Sequence, residues 1–80
     1  MSKYLRRAMA MLDAAKPASG FKPETPEEWQ RLLRAQEEMG YAMNREVGLP
    51  DKLARDLARQ IHGGPGGMLL LQIAFGEASK

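Results

Sequence analysis

Cysteine is absent from the 80-residue chain, which excludes disulfides and thiolate metal sites as sources of stability. A single histidine, His62, also excludes an all-histidine metal site. Long apolar runs are missing too. The longest, residues 68–75, has eight residues interrupted by Gln72, against the roughly 20 that a membrane-spanning helix requires. Residues 1–12 mix Lys3, Arg6 and Arg7 with scattered apolar residues and contain no uninterrupted hydrophobic region of signal-peptide length. The expectation is a cytoplasmic protein with no membrane association. Strong charge bias is likewise lacking. Twelve Lys and Arg against ten Asp and Glu give +2, too little to identify a nucleic-acid-binding protein from net charge.

What is present describes an ordinary globular chain, 44% hydrophobic and 28% charged. Its length allows a single domain, 1–80. A chain of this size buries only about 60–65% of its unfolded surface. With metal and disulfide staples excluded, its stability must come from close packing, oligomerisation or a partner.

The pattern predicts an all-α fold: a small bundle of three helices plus a short apolar C-terminal helix. In residues 3–16, Leu5, Ala8, Met9, Leu12 and Ala15 recur at helical spacing behind Ser2, a capping residue. Residues 17–24 hold two prolines and Gly20 and read as a loop, with Phe21 expected to fold back onto the core. Thr25-Pro26-Glu27-Glu28 is the strongest start signal in the chain. It combines a capping hydroxyl, a proline at the first helical position and a glutamate three residues after the cap. From there Trp29, Leu32, Leu33, Gln36, Met39, Met43 and Val47 form a stripe, and Gly40 within it marks a bend or a close helix contact. Gly48-Leu49-Pro50 ends this helix and starts the next. In residues 51–62, Leu53, Leu57 and Ile61 step by four beside Ala54 and Ala58, with Lys52, Arg55 and Arg59 assigned to the solvent side. Four glycines and a proline in residues 62–67 are expected to break helical structure. Residues 68–78 fit a buried strand or a buried helix by periodicity. Their Met, Leu, Gln and Ala content, and the lack of a second strand to pair with, favour helix.

His62-Gly63-Gly64-Pro65-Gly66-Gly67 resembles the oxyanion-hole loop of proline iminopeptidases and related α/β-hydrolases. In those enzymes such a loop follows a strand and offers backbone N–H groups to a tetrahedral intermediate. The rest of that machinery has no counterpart here. Ser2, Ser19 and Ser79 lie outside any G-x-S-x-G elbow, and a helical pattern precedes the loop. No Gly-Lys-Ser/Thr sequence accompanies the glycines, so a nucleotide site is not indicated. Glu27, Glu28, Glu37 and Glu38 read as helix-surface charges without a general acid–base partner. No enzymatic activity, cofactor, metal or small-molecule substrate is expected.

The surplus in this sequence is apolar. Six methionines in 80 residues supply side chains that adapt to contact surfaces, and a segment apolar on nearly every side cannot be covered by one neighbouring layer. The expected function is a non-enzymatic interaction or regulatory protein that binds another protein, as a homodimer. It would be of the accessory or inhibitory kind carried by phages and plasmids. Met68, Leu69, Leu70, Ile73 and Phe75, with Met43, are its expected interface. The alternative is a small DNA-binding regulator with a helix-turn-helix-like basic helix, 51–62. Lys52, Arg55 and Arg59 would then contact phosphates, together with Arg6 and Arg7.

Overall fold

A computed structural model describes residues 2–20 and 22–76, so the placement expected for Phe21 lies outside the described residues. Four helices follow in order: α1 (Lys3–Ala14), α2 (Pro26–Glu46), α3 (Asp51–His62) and α4 (Gly64–Ala74). The described residues include no strand. None of their helices is long and apolar enough to cross a membrane.

The helix starts form as their sequences require. Ser2 Oγ accepts the Leu5 amide at 3.2 Å, and Thr25 Oγ1 accepts the Glu28 amide at 3.2 Å. Glu28 does more than complete its own cap. Its carboxylate accepts the amides of Glu24 at 3.0 Å and Ala18 at 2.8 Å, tying the preceding loop to the first turn of α2. Gly48, at φ +95°, ends α2 in the left-handed conformation.

The 21-residue α2, about 32 Å long at 1.5 Å per residue, is the axis on which the rest packs. Helices α1 and α3 each lie against α2, α4 lies against α2 and α3, and α1 and α3 do not pack on each other. Tyr4 near the start of α1 meets Tyr41 late in α2, while Ala15 after α1 clusters with Leu32 and Ala35. Helix α1 therefore runs antiparallel to α2. The return path is shared. Helix α3 covers the later half of α2 through Ala54, Ala58 and Tyr41. Helix α4 covers the earlier half, where Leu71 joins the Leu32–Ala35 cluster and Phe75 stands edge-on to Trp29 at 5.8 Å.

Two expectations about these elements need correction. The glycine-rich stretch is not a broken connector. The chain turns at extended Gly63 and at Gly64, φ +63°, and Pro65 already stands in the first turn of α4. A proline tolerates that position because its missing N–H has no helical partner there anyway. Gly67 lies so close to the His62 carbonyl that a Cβ would collide with backbone. Second, the inward face of α3 is its alanines: Ala54 and Ala58 are fully buried, whereas Leu53 and Ile61 are exposed. Small residues let α3 approach α2 closely, and of the Leu53–Leu57–Ile61 stripe the two ends are left outside while Leu57 is half-buried. Met43 and Val47 of α2 are exposed as well, so the α2 stripe is buried only in its first half. Gly40 does mark a close helix contact, since a Cβ there would overlap the His62 imidazole.

Candidate interaction surface and charge cluster

Helix α4 carries no charged residue. Its inward line is Gly67 and Leu71, both buried, held by a polar clamp: Gln36 Nε2 donates to the carbonyls of His62 at 2.8 Å and Gly67 at 3.1 Å. That clamp fixes the α3–α4 corner to α2. Opposite the inward line, Gly66, Leu69, Leu70, Ile73 and Ala74 are all exposed, at the i, i+3, i+4, i+7, i+8 spacing of a single helix face. The three large side chains on it are 46–58% exposed.

Of the six residues expected at an interface, the fold brings Leu69, Leu70 and Ile73 together on this face. It separates the others. Phe75 is half-buried against Trp29, and Met68 is half-buried beside Trp29 and Gln72, lining a cleft with Gln30 and Pro26. Met43 is 57% exposed but sits two turns or more along α2 from the segment that α4 covers.

The residues expected to contact nucleic acid are dispersed differently. Arg55 is turned inward, its side chain only 29% exposed. Its guanidinium donates to Glu38 at 2.9 Å and Glu37 at 3.3 Å and lies over the Tyr41 ring, 3.9 Å from the centroid. The hydrogen bond from Arg55 to Glu38 is the leading reason its pKa rises above the usual arginine value. Arg59 reaches Glu37 at 3.8 Å and Arg7 reaches Glu38 at 3.6 Å, both from exposed positions. Arg6 and Lys52 are exposed.

Glu37 and Glu38 are therefore not surface charges. Glu38 is only 6% exposed and is the centre of a cluster that joins α1, α2 and α3. Next to it, the Tyr41 hydroxyl donates to Asp51 Oδ1, and this bond, which only the neutral phenol can make, pushes the Tyr41 pKa above its ordinary value. Arg45 donates to the Tyr4 hydroxyl at 2.9 Å and the Leu49 carbonyl at 3.1 Å. Lys3, Tyr4, Arg7, Glu38, Tyr41 and Arg55 line a shallow cleft of about 370 Å³. The Glu38 carboxylate and the Arg55 guanidinium in it are bonded to each other. The arrangement is what a structural ion-pair network requires.

The sequence alone gave one signal for this network: Glu37-Glu38 on α2 and Arg55/Arg59 on α3 are spaced to meet across an antiparallel helix pair. Reading each helix by itself left both pairs in solvent. Comparison with family models, with curated proteins and with solved structures finds no match.

Proposed function

We propose that this chain is a non-enzymatic interaction protein, of accessory or inhibitory type, that acts by binding protein and associates with its own copy through α4. The observation that carries the reading is the uncharged outer face of α4, with Leu69, Leu70 and Ile73 about half exposed. A face without charge meets a second copy of itself about a two-fold axis with no like-charge contact, which is one way for an isologous patch to be self-complementary. DNA binding draws less support, because Arg55, the middle residue of the basic stripe, is occupied by Glu37 and Glu38.

Light scattering after size exclusion tests the proposal on the wild type and on Leu70→Glu and Ile73→Glu. The wild type is expected at twice 8.9 kDa and the variants at the monomer mass. A wild type of monomer mass at every concentration overturns self-association. A gel shift at low salt with Arg59→Glu tests the alternative. DNA binding through this stripe would weaken steeply between about 50 and 200 mM salt, whereas apolar association would not.

A further inference from the structure

The outer face of α4 is small. Three half-exposed side chains amount to something on the order of 300 Å², well below the ~800 Å² each partner contributes to a standard interface. The remaining area has a definite place, which the charge cluster fixes.

In α1, α2 and α3 a fully buried alanine points inward, at Ala8, Ala42 and Ala54. At about 100° per residue, its two chain neighbours flank it on opposite sides. In α1 the flanks are Arg7 and Met9, in α2 Tyr41 and Met43, in α3 Arg55 and Leu53. The polar flanks converge: Arg7 and Arg55 both reach Glu38, and Arg55 stacks on Tyr41. They occupy one side of the α1–α2–α3 layer. The apolar flanks Met9, Met43 and Leu53 therefore lie on the other side, and all three are exposed. Leu12 and Ile61, each at helical spacing from these, extend the same stripes. Helix α4 continues this side, because it packs on Leu32 and Gln36 of α2, which share a helical row with Met43. Its Met68–Gln72 edge lines the cleft with Gln30, which leaves Leu70 on the edge nearer Met43.

We infer that a second copy of this chain packs over this side of the layer, with Met43 at the centre, Met9 and Leu53 on the flanks and Leu70 of α4 completing the contact. The inference rests on the self-association proposed above and extends it from one helix face to a whole side of the molecule. Area argues for a second copy as the occupant. With the α4 face included, the exposed large apolar side chains reach the order of 900 Å², the share one partner brings to a standard-size dimer. The cluster centred on Glu38 is gathered on the opposite side, and the Lys16–Asp13 pair borders the apolar side at the end of α1.

The absence of cysteine permits a direct test. Met43→Cys and Arg34→Cys, the latter an exposed position one turn before Glu38 on the charged side of α2, each receive a nitroxide label, and dipolar broadening is read in the full-length protein. Broadening at position 43 that disappears on dilution with unlabelled protein, with none at position 34, is the expected result. In parallel, Met43→Glu and Ile61→Glu are expected to raise the dimer dissociation constant at least tenfold with helical circular dichroism retained. A dimer lost in Leu70→Glu but intact in both of these variants overturns this inference and leaves association through α4 standing. A wild type that is monomeric at all concentrations overturns both.

Discussion

At the scale of single residues, the molecule depends on where its charges are buried. Glu38 is enclosed and has Arg55 as its nearest cation. Removing one partner of a buried pair leaves the other charge without compensation, which costs about 3–5 kcal/mol when burial is complete and less where solvent still reaches the pair. Arg55 keeps about a third of its side chain in solvent, so Arg55→Met is expected to cost about 2–3 kcal/mol in urea unfolding. Arg59→Met, which removes an exposed 3.8 Å pair, is expected to cost under about 0.5 kcal/mol. Equal costs for the two would show that the cluster does not hold α3. Glu28 sets a separate acid limit. The amides of Glu24 and Ala18 bond its ionised form and hold its pKa below the ordinary 4.5. A pKa lowered on folding stabilises the native state above the ordinary value, and that contribution is lost as pH falls through the lowered one. Thermal melts of the wild type between about pH 5 and pH 2 should therefore show an acid-side decline that Glu28→Gln lessens.

At the scale of elements, the helix starts were legible in the sequence because capping is local chemistry. Ser2 and Thr25 needed only the next three residues to declare themselves. The inward face of α3 was not legible, since leucine and alanine stripes side by side give the same period. Only the close approach to α2, which Ala54 and Ala58 permit and Leu53 would block, decides between them. The glycine stretch was misread for a related reason. Propensity describes an isolated helix, and here tertiary contact overrides it: Gly67 stands where a Cβ would meet the His62 carbonyl, and Gln36 ties both residues to α2. The individual glycines of this segment consequently have opposite sensitivities. Gly67→Ala forces backbone apart and is expected to cost at least about 1–3 kcal/mol. Gly66→Ala has only the Gln60 carbonyl within reach, at an ordinary 3.8 Å, and is expected to stabilise α4 by up to about 1 kcal/mol. Denaturant midpoints of the two variants check this. Destabilisation of similar size in both would mean that the whole stretch, rather than Gly67, is the tight contact.

At the scale of the whole molecule, the missing cysteine and short length raise the question of what stabilises the chain, and the burial pattern answers in part. Among the described residues, six of the nine buried apolar ones are alanines and no large side chain is fully enclosed. Nine large apolar side chains among them are instead 44–78% exposed. A monomer of this kind leaves most of its hydrophobic potential unused, because the free energy of burial follows the area removed from water. If a second copy covers that area, folding and association become one equilibrium, and apparent stability must depend on protein concentration. For a folded dimer that unfolds to two monomers, each tenfold rise in concentration adds about 1.4 kcal/mol per dimer. Spread over two chains of this length, that raises Tm by a few degrees, on the scale of about 4–8 °C per kcal/mol for small domains. Calorimetric scans over a hundredfold concentration range should show this climb in the wild type. Met43→Glu and Leu70→Glu should melt lower, at a Tm independent of concentration. A wild-type Tm that stays constant over the range would mean that the alanine-lined interior and the Glu38 cluster suffice to hold the monomer, and that the apolar side contributes nothing through self-contact.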